Sequence, residues 1–128
     1  VAIIATGSMV AQSMKAAKLL EEEGISCSII NMHTIKPLDI DAVMEASKKH
    51  NMIVTAEEHS IIGGLYGAVA EALCRETAHN PVLPIGINDL FVHAGSYDWQ
   101  MAESGLEPAR MKEKIMTELL QIRGGIAN

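Results

Sequence analysis

The residues best equipped for chemistry are consecutive: Glu57-Glu58-His59-Ser60 places two carboxylates, an imidazole and a hydroxyl side by side. Such a set could act as a general base, ligate a metal, or build a polar network between subunits. It could equally be a polar loop in which one Glu caps the next helix and the other is solvated. Adjacent residues of an extended segment point to opposite sides, so Glu57 and Glu58 are not expected to share one site.

Ile62-Gly63-Gly64-Leu65-Tyr66-Gly67 follows directly. A dinucleotide-binding fingerprint would need glycine at position 62 as well as at 64 and 67, and position 62 is Ile. The structural reading is stronger: Gly63 and Gly64, lacking side chains, let the start of a helix approach another backbone closely. Asn88-Asp89-Leu90-Phe91-Val92-His93-Ala94-Gly95 holds the only Phe, with the only Trp, Trp99, just beyond. Aromatics in a long loop suit a packed interface better than a substrate lid, which makes Phe91 an interface candidate. The histidines at 33, 50, 59, 79 and 93 form no short-spaced pair with each other or with Cys, as a structural zinc site would require. His33, His59 and His93 could still meet at one sheet edge. No G-x-S-x-G elbow or phosphate-binding G-x-x-x-x-G-K-[ST] loop is present.

These residues need a scaffold, and the apolar pattern supplies one. Short runs predict strands at Val1–Ala5, Ile25–Asn31, Met52–Ala56 and Val82–Ile87, the last near an edge because of its prolines. Helical spacing predicts helices from Met9 to Glu23, from Asp39 to His50, within Ile61–Thr77, and from Glu107 to Ile122. Ser8 and Asp39 are placed as N-caps, Gly24 as a terminator, and Pro108 in a first turn. Glu57–Ser60 reads as a loop, Asn88–Leu106 as irregular, and 123–128 as a frayed tail after a domain spanning 1–122. Strands alternating with helices predict an α/β fold in three layers, with a mostly parallel open sheet flanked by helices. In such sheets ligands bind beyond the carboxyl ends of the strands. Thr6-Gly7-Ser8, His33–Asp39, Glu57–Gly64 and Asn88–Gly95 all fall there.

Composition narrows the function. The 128 residues suffice for one globular domain. Aromatic content of 3% makes the core aliphatic, with eight Met as adaptable filling. A net charge of −6 disfavours nucleic acid and anionic lipid as partners. No apolar run reaches the length of a membrane helix. Cys27 and Cys74 read as small buried hydrophobes in a reducing, cytoplasmic compartment. Val1 lies within an apolar run and is not Met, which suggests an excised domain or a longer chain.

Taken in order, Ala5-Thr6-Gly7-Ser8, Ile35-Lys36-Pro37-Leu38-Asp39, Glu57-Glu58-His59 with Gly63-Gly64-Leu65, Ile85-Gly86-Ile87-Asn88-Asp89-Leu90-Phe91 and Ser104-Gly105-Leu106 resemble the transketolase C-terminal domain. The resemblance runs from Val1 to about Leu120. It is nearest to 1-deoxyxylulose-5-phosphate synthase and to the C-terminal subunits of split transketolases, and 2-oxoacid dehydrogenase beta subunits share the domain. It implies a thiamine-diphosphate enzyme of three domains that passes a two-carbon unit from a ketose to an aldose. The coenzyme and Mg²⁺ would sit on two preceding domains, or on a separate N-terminal subunit, of a homodimeric whole. The Gly-Asp-Gly of the diphosphate motif is absent here. The resemblance therefore assigns this chain no catalytic, cofactor-binding or metal residue. Glu58, His59, Gly63, Gly64 and Asp89 match family positions and read as structural or interface residues. Tyr66 stands where relatives often carry a small residue, and His93-Ala94-Gly95 replaces a Ser-rich segment. Two other readings stay open on the residues alone: a stand-alone Rossmann-like small-molecule binder and a dimerisation module.

Overall fold

The computed structural model describes residues 1–125. Four strands, β1 (Ala2–Ala5), β2 (Ser28–Asn31), β3 (Ile53–Ser60) and β4 (Val82–Ile87), alternate with helices α1 (Met9–Glu21), α2 (Ile40–Lys49) and α3 (Leu65–Leu73). Then come α4 (Tyr97–Glu103) and α5 (Pro108–Gly125). The sheet order is β2-β1-β3-β4 and every pairing is parallel. β4 is an edge strand, as its prolines predict; Pro84 pairs with Thr55 of β3 and has no second neighbour to serve.

Side chains alternate across the central strands, so each face builds its own core. Ile3, Ala5, Val54 and Ala56 meet Met9, Leu20, Met111 and Ile115, which covers one face with α1 and α5. Ile4 and Ile53 meet Val43, Leu65, Val69 and Leu73, which covers the other face with α2 and α3. The result is the expected three layers. Chain direction explains the division. From β1 the chain steps one way to β2, then back across to β3 and onward to β4, and right-handed crossovers put the two directions on opposite faces. The Lys112 ammonium reaches Glu23 at 2.5 Å and ties α5 to the end of α1.

Several sequence expectations are corrected. The final helix continues through Gly125, so the tail expected from residue 123 is helical that far; residues 126–128 lie outside the described residues. α4 occupies part of the stretch expected to be irregular, capped by Ser96, whose hydroxyl accepts from the Trp99 amide. α3 lies inside the expected Ile61–Thr77 span. Ser8 accepts no capping bond: its backbone is already helical, at φ −58° and ψ −26°, where a side-chain cap needs an extended residue, and its hydroxyl donates to Glu58. Asp39 does cap α2, accepting from the Ala42 amide at 3.0 Å, and Gly24 ends α1 with a positive φ of 76°. Cys27 is half-buried but Cys74 is exposed at the end of α3, so only the former packs as a small hydrophobe.

Candidate functional site at the strand ends

The reversal of strand order lies between β1 and β3, where open α/β sheets form a crevice beyond the strand ends. A cleft of about 290 Å³ is found there, lined by the Thr6–Ser8 turn, Ile35, Glu57–His59, Gly63 and Gly64. The segments expected at this edge from β1, β2 and β3 therefore do converge.

β3 runs through Ser60, so Glu57–Ser60 is strand and not loop. The reason is a bulge. Ala56 pairs with Ile85 and Ser60 with Ile87, so Glu57, Glu58 and His59 together face the single residue Gly86. Gly86 makes the bulge possible: a Cβ there would stand 2.9 Å from the His59 carbonyl and 2.8 Å from Ile61 Cγ2.

The bulge sends the two glutamates apart. Glu57 is 1% exposed, and its carboxylate accepts from the Leu65 amide at 2.7 Å and the Tyr66 amide at 2.9 Å. These are the first two amides of α3, donors that the helix itself cannot satisfy. A carboxylate at a helix N-terminus also meets the positive end of its dipole. Glu57 is thus a cap supplied by the sheet, and it belongs to the helix-capping alternative rather than to acid–base chemistry. Gly64 admits it: a Cβ on Gly64 would overlap Glu57 Oε2 and lie 2.9 Å from its Cδ. The close approach is to a side chain, where a backbone had been expected. Gly63 has φ of 76°, the left-handed turn that reverses the chain into α3.

Glu58 faces outward. Its Oε2 accepts from the Ser8 hydroxyl and, at 2.8 Å, from the Tyr97 hydroxyl. That bond to the carboxylate raises the Tyr97 phenol above its ordinary value, while Ser8 works in the opposite direction. His59 is largely exposed, with Nδ1 2.9 Å from the Ser60 carbonyl and 3.9 Å from Glu57 Oε2. The first contact needs a proton on Nδ1, which leaves Nε2 as the outward atom.

Asp89 and Phe91 follow β4, both exposed; Phe91 is 102% exposed and its neighbour Leu90 74%. They stand apart from the cleft lining and beside Asn88, Val92 and His93. Among the described residues, no three His, Cys, Asp or Glu side chains form a group able to hold a metal ion, so His33, His59 and His93 do not assemble one. The sequence offered a capping Glu without saying which of the two it was, and Ser8 and Tyr97 as partners of Glu58 were not legible. The signal available for Glu57 was a carboxylate one strand-end turn ahead of a glycine-started helix.

Fold and site together define a three-layer α/β domain whose strand-end carboxylates bind its own elements together. The family model of the transketolase C-terminal domain matches residues 1–111, and the chain belongs to that family. It is 42% identical over 117 residues to a protein of Methanocaldococcus jannaschii provisionally named a transketolase C-terminal section, covering 91% of this chain and 36% of that one. It is 38% identical over 123 residues to the 1-deoxy-D-xylulose-5-phosphate synthase of Dictyoglomus turgidum, covering 96% of this chain and 20% of the synthase. Among solved structures, a split-gene transketolase described as an inactive beta4 tetramer superposes with a TM-score of 0.84 at 37% identity, over 91% of this chain and 38% of that one. Transketolase from Pichia stipitis shares the fold, with a TM-score of 0.68 at 17% identity over 96% of this chain and 17% of that one. The chain thus spans 20–36% of the length of these two curated relatives.

Proposed function

We propose that this chain is the C-terminal section of a thiamine-diphosphate-dependent transketolase-type enzyme, in which it supports assembly and contacts between subunits. The complete enzyme moves two-carbon ketol units between sugar phosphates. The observation that carries this reading is the engagement of the strand-end carboxylates within the fold, in a chain of this family. Both oxygens of Glu57 are held by α3 amides, and Glu58 is bridged to Ser8 and Tyr97. Enzymes of this family depend on thiamine diphosphate, and the Gly-Asp-Gly that opens their diphosphate motif does not occur in this sequence. The coenzyme and Mg²⁺ are accordingly assigned to preceding pyrimidine- and diphosphate-binding domains or to a separate N-terminal subunit. The split-gene relative, inactive as a beta4 tetramer, supports that division of labour.

In this reading the edge carrying Glu58, His59, Gly63, Gly64, Asp89 and Phe91 contributes the contacts. The exposed Leu90–Phe91 tip offers apolar area of the sort that interfaces bury. The whole enzyme is a homodimer in the cytoplasm. The free thiols Cys27 and Cys74 are in keeping with a reducing compartment. Size-exclusion chromatography with a chain bearing Gly-Asp-Gly and the coenzyme-activating Glu tests the reading. A stable complex supports it; two independent peaks at micromolar concentrations contradict it. The 38% identity to a deoxyxylulose-phosphate synthase favours a second member of the same class. Product analysis of the complex, for a transferred ketol or for 1-deoxyxylulose 5-phosphate, separates the two.

A further inference from the structure

The segment from Asn88 to Ser104 leaves β4 and crosses the sheet edge before α5 begins. It is thinly anchored. Met101, 5% exposed, is the one residue within it that is buried, followed by Leu106 just beyond. Phe91, Leu90, Tyr97 and Trp99 all lie substantially in solvent. α4 does not seat fully on the sheet either. A cavity of about 90 Å³, lined by Glu58, Ile87, Val92, Tyr97, Met101 and Leu106 among others, remains beneath it. This space opens to solvent, so the side chains lining it meet water where a fully seated helix would pack.

Besides Met101, which packs in the core with Met9, Met111 and Ile115, the segment is held by a polar tether. The Tyr97 hydroxyl donates to Glu58 Oε2 at 2.8 Å, and Ser8 donates to the same oxygen. One carboxylate oxygen therefore joins the β1–α1 turn, the end of β3 and α4. Gly105, with φ of 67°, provides a turn between α4 and α5 on which the segment could pivot.

We propose that Glu58 is the latch of a hinged strap: when the Tyr97–Glu58 bond opens, residues 88–104 swing off the sheet edge as a unit, open the cavity and re-aim the Leu90–Phe91 tip. This stands on the contacts alone and is independent of the transketolase reading.

Trp99, the only tryptophan, is a built-in reporter on α4. Its indole lies against Gly95, where a Cβ would come within 3.0 Å of Cδ2. Hydrogen exchange and Trp99 emission are measured on the chain, on Tyr97→Phe, on Glu58→Ala and on the double variant. Tyr97→Phe removes one hydroxyl at a half-exposed position and keeps the ring. Loss of a charge-assisted bond should speed exchange of residues 97–104 about five- to tenfold and red-shift Trp99 emission, with α1 and α3 unchanged. Glu58→Ala should do the same, and the double variant should add nothing further. Wild-type exchange and emission in Tyr97→Phe would overturn the latch. So would acceleration spread evenly over the whole chain, or full additivity in the double variant.

Discussion

Replacing Gly64 by Ala tests how β3 and α3 are joined. Gly64 has φ of −107°, outside the left-handed region, with ψ of −145°, off the β and helical regions, so a side chain meets a modest backbone cost. The larger part of the effect comes from contact. The new Cβ would overlap the buried Oε2 of Glu57 and lie 3.0 Å from His59 Nδ1. The carboxylate must withdraw, and it then loses the amides of Leu65 and Tyr66. Hydrogen bonds to a charged group contribute about 1.5–3 kcal/mol each, and the displaced carboxylate has little water to turn to, so the loss should be roughly 3–5 kcal/mol. Against a total stability of about 5–15 kcal/mol that is a large fraction. In urea, with a slope of about 2 kcal/mol/M, the midpoint should fall by about 1.5–2.5 M. Gly63→Ala is the control. It meets nothing within 4 Å but sits at φ of 76°, so it should cost only about 1–2 kcal/mol of backbone strain. In a Glu57→Ala background the Gly64→Ala penalty should shrink to the backbone cost and the His59 contact. A Gly64→Ala loss below about 1 kcal/mol, or the same loss with and without Glu57, would refute the capping argument.

Other outcomes follow from exposure and charge. Cys27, pushed up by desolvation on burial, should alkylate slowly at pH 8 while exposed Cys74 reacts first; mass spectrometry showing equal rates would count against the packing around Cys27. Tyr97 is held protonated by its bond to Glu58, so its folded value lies above its unfolded one. The stability from that bond is therefore fully present below about pH 10, the ordinary tyrosine range, and is lost as pH rises through the raised folded value. Ultraviolet titration should show one of the two tyrosines ionising late, and Glu58→Ala should bring it back to the ordinary range; an unchanged titration would speak against the bond. Phe91→Ala should leave the stability of the chain, read by urea unfolding, within about 0.5 kcal/mol of wild type, since the side chain buries nothing, yet weaken binding to an N-terminal subunit at least tenfold. Unaltered binding would remove Phe91 from the interface.

Much of the scaffold was readable because its signals are local. Val1–Ala5 is an unbroken apolar run because β1 is central and covered on both faces. Asp39 announced its cap because side chain and amide are three residues apart. What escaped notice depends on long-range pairing. The bulge at Glu57–His59 exists only because Gly86, far along the chain, lies opposite. Without it, the polar residues looked like a loop. Which glutamate caps α3 stayed open because the partners of Glu57, the amides of Leu65 and Tyr66, are backbone groups with no sequence signature. α4 is seven residues long, too short to show a helical period. The divergence of Glu57 and Glu58 was expected from strand alternation and is found, though at a bulge and not in regular strand.

The most direct test of the supporting role is a ketol-transfer assay on the purified chain with thiamine diphosphate and Mg²⁺, with and without the polypeptide bearing Gly-Asp-Gly. No turnover alone and restored turnover on mixing is the expected result. Sustained turnover by these 128 residues unaided would contradict it.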